Sequence, residues 1–523
     1  MPKFKPYNFN QSSMVVINFE DQLQSGTFEH AIHFLIHHKL DLSIFNDLYS
    51  NDEGGRPAYD PAILLAIILF AYSKGITSSR EIQWCCETNV IFKALSCDTV
   101  PHWTTLAKFV SRYPKKMTDL FEQILLICHQ EGLLGNELFA IDGCKMRSDA
   151  AKTWSGTFKE LDQKRKKLKR QIKHHIKEHK AHDAENTEAS ARRQKRTEQT
   201  INTLEKNFEK IDHFLKTNTP RQGQGKKKTE VKSNITDNES AKMTTSKGTI
   251  QGYNGVATVD KKHQIVIDGT AFGAGQEHHT LKPVMETVLQ RYRRLGISED
   301  IYAEQVIVTA DTGFANEQNM KMLYEHQINA FIPDNKFRSR DPKFQEQKEK
   351  YGKRSRKSAK TTNKDFFNRD EFEFDPIAKT CICPMGEAMW LSHENTDIRG
   401  DRRIAFEGRL SRCNACPEKT KCMRNPEAAN HRKGHGRVIT FVLEKSIKNP
   451  YTEWMKPRVD SPEGKAIYSH RMSVVEPVFG NIGTNKGLDR FSLRGQKKVD
   501  GQWKLFCMIH NIEKLYKYGE LRH

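Results

Sequence analysis

Two aspartates occur in the same local context. In ELFAIDGCKM, Glu137–Met146, an apolar run meets Asp142 and then a glycine; in VIVTADTGF, Val306–Phe314, a β-branched run meets Asp311 and then Thr-Gly. An ionised carboxylate beside a core costs free energy unless something compensates it. If the two runs are strands of one sheet, their ends lie about 5 Å apart, or about 10 Å with one strand between. Carboxylates brought together there repel unless a cation sits between them, and hard oxygen donors suit Mg²⁺ or Mn²⁺. A third acid, Glu476, lies in Ile467–Ile482 among Val474, Val475, Val478, Phe479 and Ile482. A glutamate amid that much apolar surface needs a buried partner, and a metal is one.

The cysteines offer a second chemistry. Eleven are present, most of them single, which fits a reducing compartment. Five crowd together as Cys381-x-Cys383-Pro, Cys413-x-x-Cys416-Pro and Cys422. A Cys-x-x-Cys loop lets two thiolates reach one tetrahedral ion, so Cys383, Cys413, Cys416 and Cys422 form a candidate structural Zn²⁺ set with Cys381 spare. The segment shows no alternating strands or large core of its own, so a metal is expected to hold its shape.

Positioning these residues requires an α/β framework. The strand patterns are ELFAIDGCKM, TIQGYNGVATVD (Thr249–Asp260), QIVIDGTAFG (Gln264–Gly273), VIVTADTGF and INAFIPD (Ile328–Asp334). Helical periods in LKPVMETVLQRYRRLG and NEQNMKMLYEHQ separate the later ones. The order reads as an α/β domain over 135–334 and 465–523 that carries inserts. One insert, 156–230, combines two amphipathic helices in a hairpin with a basic linker. Leu161, Leu168 and Ile172 share one face, and Ile201, Leu204, Phe208 and Ile211 share another. Lys164, Arg165, Lys166 and Lys167 are either solvated or laid along a polyanion. The other insert, 335–464, holds a basic linker and the cysteines.

Residues 1–134 read as all-helical, either a DNA-binding or a docking and dimerisation module. Pro61 suits a first helical turn, Gly75 a left-handed stop, and Ser78-x-x-Glu81 a capping box. The longest apolar run, Ala62–Tyr72, is about half of what a bilayer needs and reads as a buried helix. MPKFKPYNFNQSS lacks an apolar stretch before a small-residue cleavage site, so no secretory signal is expected. The formal charge of +20 favours a polyanionic partner, and 37% apolar content leaves room for polar inserts.

AIDGCKMRSDA, GYNGVATVD, VTADTGF and Y-x-x-R-x-x-x-VEPVFGNI, in this order, resemble the DDE transposases of bacterial insertion sequences. DPAILLAIILFAYSKGITSSREI resembles their helical N-terminal domain, and the cysteine insert narrows the likeness to insertion-sequence family eleven-eighty-two or a close relative. The resemblance implies an RNase H-like core in which Asp142, Asp311 and Glu476 bind a pair of divalent ions. It also implies DNA as partner, as terminal inverted repeats and as target, with a homodimer or higher oligomer on that DNA in the bacterial cytoplasm, at the nucleoid. No membrane role is implied.

Tyr468 and Arg471 match the aromatic and basic positions before the glutamate, and on a helix they share a face. Arg471 is expected either on a DNA phosphate or in a structural ion pair. Gly483 stands where the family usually carries a basic residue, with Lys486 about one turn later as its substitute. Lys145, Arg147, Arg490 and Arg494 are further candidate DNA contacts. Two alternatives stay open: an RNase H-like nuclease or resolvase that cleaves without joining, and an inactive, zinc-containing DNA-binding derivative. If a polyanion is the partner, log affinity for DNA falls linearly with log salt, losing roughly 10³-fold between about 50 and 200 mM. A fluorescence-anisotropy salt series checks this, and a flat response excludes nucleic acid.

Overall fold

Burial on every side distinguishes the first long helix from an amphipathic one. The computed structural model describes residues 16–49, 54, 57–182, 188–223, 228–246, 248–344, 366–396, 400–444 and 449–522. In it, α1 (Pro61–Ser73) has Pro61 in its first turn, and the Asp60 carboxylate accepts from the Ala62 N–H at 2.8 Å. Leu64 to Tyr72 are all buried, as a helix apolar on every face must be. The chain leaves through Gly75 at φ 77°. Ser78 occupies the N-cap of the next helix, but its side chain makes no capping hydrogen bond, so the expected capping box does not form. Two further short helices follow, and then α2 (Pro114–Gln130).

The chain separates into two compact units, 1–335 with 455–523, and 336–454. The first holds a mixed six-stranded sheet built from β1 (Leu138–Arg147), β2 (Ala241–Thr245), β3 (Gly248–Asp260), β4 (Val266–Phe272), β5 (Ile307–Ala310) and β6 (Ala330–Phe331). Its order is β6-β5-β1-β3-β2, and β4 pairs with β3 beyond β2. β1 runs parallel to β5 and antiparallel to β3. Helices lie on both faces. On one, α5 (Leu281–Arg294) sets Tyr292 edge-on to Phe139, ring centroids 6.0 Å apart. On the other lies α7 (Gln496–Tyr518), which follows α6 (Pro462–Gly480).

Two glycines let α7 approach the sheet. A Cβ at Gly255 would lie 3.1 Å from the Trp503 ring, and one at Gly269 would lie 2.7 Å from Cys507 Sγ. Trp503 Nε1 donates to the Val256 carbonyl at 3.0 Å. The Asn511 amide accepts from Val266 N–H and donates to Val266 C=O, both at 2.8 Å, so the outer edge of β4 is occupied rather than left open.

The expected hairpin is α3 (Phe158–His182) with α4 (Glu188–Thr217), closed by Leu161, Leu168, Ile211 and Phe214. Three of the four basic residues Lys164 to Lys167 are engaged, Lys166 with Asp162 at 2.8 Å. Lys164 Nζ sits 4.0 Å over the Trp154 ring, and Arg165 bridges Asp162 and Asp212 at 2.6 Å each. Residues 183–187 of the connection and most of the basic stretch 335–364 lie outside the described residues.

The second unit corrects an expectation. It is a five-stranded antiparallel meander of β7 (Glu373–Asp375), β8 (Thr380–Ile382), β9 (Ala388–Thr396), β10 (Arg402–Glu407) and β11 (Val438–Glu444). It has its own core of Phe372, Met389, Ile404, Phe406, Ile439 and Phe441. Ile439 and Phe441 show the period-2 alternation of a half-buried strand, whereas Ile404, Ala405 and Phe406 are buried in a row.

One buried charge network ties the first unit together. Arg291, 1% exposed, donates to Asp268 at 2.6 Å and to the Ile267 carbonyl at 2.9 Å, and meets Glu122 of α2 at 3.3 Å. Removing the cation strands the buried Asp268 carboxylate, while Glu122 keeps Arg294 as a partner. Arg291→Met is expected to cost about 3–5 kcal/mol, read from the denaturation midpoint. A loss within about 1 kcal/mol would show that the network contributes little.

Candidate active site

β5 stops at Ala310, one residue before its acid, while β1 continues to Arg147 because β3 still pairs with it. Ile141 is the last β1 residue opposite β5, where it faces Ala310. Asp142 is therefore not at a strand end, as the sequence suggests. It lies where the neighbouring strand runs out and the sheet opens, and Asp311 is the next residue across that opening.

The two carboxylates are close enough to interact by charge, and both are half-buried. Asp142 accepts from Gly143 N–H at 2.8 Å and from Arg471 at 2.6 Å. Burial raises its carboxyl above the usual range; the Arg471 guanidinium and the Gly143 N–H oppose this, and Asp311 adds to it. Asp311 accepts from Thr312 N–H at 2.5 Å.

Arg471 is itself buried and stacks over the Tyr468 ring at 5.7 Å, so the pair does share a helix face. Of its two expected roles, the ion pair is the one present. Its Nε is buried with no hydrogen-bond partner.

A third carboxylate joins them, and it is Glu277. Burial and the charges of Asp142 and Asp311 push its carboxyl up, while Lys145, 3.7 Å away, pulls it down. Sequence reasoning missed this residue. It lies in GAGQEHHT, just after β4, with no apolar run to mark it; the only signal was an acid in the turn that ends a strand of the same sheet.

Glu476 departs from expectation. On α6, Arg471, Val474, Val475 and Val478 form the buried face, whereas Glu476 is exposed. Five residues of helix rotate it about 140° from Arg471. The apolar neighbours bury themselves and leave the acid outside. Next to it, Pro477 cannot donate to the Ser473 carbonyl, and the Gln264 side chain takes that acceptor at 3.0 Å.

Lys486 is also corrected as a DNA contact. Its side chain is wholly buried, with Nζ 2.6 Å from both carboxylate oxygens of Glu513. Gly483 lies in the π-helical turn Asn481–Asn485, with nothing within 4 Å of where its Cβ would be.

Lys145, Arg147, Arg490 and Arg494 line one cleft of ≈ 1120 Å³, together with Lys152 and Trp154. Asp149 holds the two later arginines, Arg494 at 2.8 Å and Arg490 at 3.9 Å, and Phe491 N–H donates to the Arg147 carbonyl. Lys145 lines the cleft and also faces Glu277, so the cleft borders the acidic cluster at that residue.

In the other unit, Cys383, Cys413, Cys416 and Cys422 line a small cavity of ≈ 50 Å³. Burial raises the Cys422 thiol to about 11; the Arg437 guanidinium pulls it down, and the other three thiols push it up. Glycine is needed at 408 and 436, where a Cβ would come within 2.7 and 3.1 Å of Cys413 Sγ. Cys381 stands apart in the sheet core, 3.8 Å from the Met389 sulfur.

Among the described residues, no three His, Cys, Asp or Glu side chains converge closely enough to hold a metal ion as they stand. The donor chemistry still fits: half-buried carboxylates suit a hard divalent cation, and four thiols suit zinc. No helix among the described residues is long and apolar enough to cross a membrane.

Comparison with known families gives two matches. A transposase DDE domain matches residues 382–516, a span that includes Arg471 and Glu476 but neither Asp142 nor Asp311. A transposase domain (DUF772) matches residues 17–112, the helical N-terminal region. No curated protein and no solved structure matches.

Proposed function

Taking as premise that the two matched domains indicate a DDE-type insertion-sequence transposase, we propose that this chain binds terminal inverted repeats and cuts and joins DNA strands on an RNase H-like core. The kinship with insertion-sequence family eleven-eighty-two belongs to this reading. So does assembly as a dimer or higher oligomer on two element ends in the bacterial cytoplasm. One observation carries the proposal: Asp142 and Asp311 face each other at the opening of the sheet, and a basic cleft borders that cluster at Lys145.

Asp142 and Asp311 would hold the divalent cations, Mg²⁺ or Mn²⁺, which when bound supply charge neutralisation at the phosphate and a more acidic attacking hydroxyl. Arg471 fixes one Asp142 oxygen, and its unpartnered Nε is a buried donor that a phosphate oxygen would satisfy. Lys145, Arg147, Arg490 and Arg494 neutralise backbone phosphates along the cleft. In cleavage, water's oxygen bonds to phosphorus as the 3′ oxygen leaves and takes a proton. In transfer, that 3′-hydroxyl bonds to a target phosphate and the target's own 3′ oxygen leaves. Glu476 enters only through the resemblance; the aspartates bear the weight of the reading.

The outward Glu476 favours a second reading, a relative that binds DNA without cutting it. The two are separated on oligonucleotides carrying the element's ends with Mg²⁺. The wild type is expected to cleave, and with precut ends to join. Asp311→Asn is expected to lower cleavage ~10³-fold while leaving inverted-repeat binding nearly intact. No cleavage by the wild type selects the second reading, and cleavage without joining selects a nuclease.

The shared lining by Cys383, Cys413, Cys416 and Cys422 supports a structural Zn²⁺ in the second unit. Elemental analysis of chain purified without chelator is expected to find one zinc, lost in the Cys413→Ser, Cys416→Ser double variant. A zinc-free wild type rejects the site.

A further inference from the structure

We infer that Glu277 is a positioning residue of the Asp142–Asp311 site: it holds the Lys145 ammonium away from the two aspartates and so keeps them free for divalent cations. The inference rests on the reading of those aspartates as cation ligands. Its geometry is independent of any metal.

First, the Glu277 carboxylate is seated between the two acid-bearing segments. Its Oε1 faces Lys145 Nζ at 3.7 Å, three residues beyond Asp142 on β1. Its other oxygen lies against Gly313, two residues beyond Asp311, where an added Cβ would come within 2.2 Å of it. Second, the turn that carries Glu277 is bolted to the turn after Asp311. The Asn319 amide, 5% exposed, donates to the His278 carbonyl at 2.8 Å and to the Phe314 carbonyl at 2.7 Å. Glu277 is thus delivered to this spot by the fold, not by a freely chosen side-chain rotamer.

Third, the charges require an arbiter. Two cations serve the three acids: Arg471 faces Asp142 and Asp311, and Lys145 faces Glu277. Arg471 is committed to Asp142 by a 2.6 Å contact. Lys145 is the longer-reaching and less constrained of the two, a point charge on a flexible stem. Glu277 faces Lys145 with one oxygen and lies within charge range of both aspartates, so without it the ammonium would be free to turn to those aspartates and compete with a metal ion for their oxygens.

The test is Mn²⁺ affinity of the full-length chain without DNA, measured by electron paramagnetic resonance of free Mn²⁺, so that catalysis plays no part in the readout. Glu277→Gln is expected to weaken binding about tenfold, the scale of lost outer-shell support, with an unchanged unfolding midpoint. Glu277→Asp is expected to recover most of the loss. Adding Lys145→Met to Glu277→Gln is expected to restore affinity, because the competing ammonium is gone. Gly313→Ala, which leaves Glu277 in the chain but displaces its carboxylate, is expected to weaken binding in the same way.

Unchanged Mn²⁺ affinity in Glu277→Gln overturns the inference. Weakening that Lys145→Met does not relieve also overturns it, since Glu277 would then be a ligand or a brace. If the wild type binds no Mn²⁺, or Asp142→Asn leaves binding unaltered, the reading of the site itself fails, and this inference with it.

Discussion

Everything at the candidate site follows from one mismatch in strand length. β5 ends at Ala310 and β1 does not end until Arg147, so past Ile141 one edge of β1 loses its neighbour. Backbone that would be covered in mid-sheet is open there, and the first side chains into the gap from the two strands are carboxylates. Their mutual repulsion and partial burial are unfavourable on their own. The fold meets that cost with a guanidinium from α6, with backbone N–H groups of Gly143 and Thr312, and with a lysine drawn up beside a third acid.

The rest of the first unit serves to hold those pieces in register. α6 must present Arg471 inward, so it buries the stripe that carries Val474, Val475 and Val478. Its proline-interrupted end is steadied by Gln264, which takes the carbonyl that Pro477 cannot serve. Beyond it, Lys486 spends its charge inside the protein on Glu513 rather than at the surface. α7 lies flush on the sheet because Gly255 and Gly269 leave no side chain in the way. Such buried pairs are costly to assemble and costlier to break. They make the site's scaffold specific more than they make it strong.

Parts of this were legible in the chain. The strands stood out because β-branched and alternating runs carry a period of two, and Asp142 and Asp311 because each interrupts such a run. The hairpin face of Leu161, Leu168 and Ile211 was readable from helical spacing. The second unit's sheet was missed although Ile439 and Phe441 alternate, because such short strands among charged residues leave a weak signal. Lys486 was misread for a different reason: it was placed by its spacing after Gly483, and its partner Glu513 is on another helix.

What the sequence determined by itself was local: which segments are strands and helices, where acids break apolar runs, and the basic excess that suits a polyanion. Those properties depend on neighbours along the chain and on composition. Only the tertiary structure decided which acids share a space. It brought in Glu277 from a featureless polar turn, turned Glu476 outward and assigned Arg471 to Asp142. Convergence of that kind is set by strand order, by the length of β5 and by which helix face must bury its valines, and none of these is a property of any short stretch of residues.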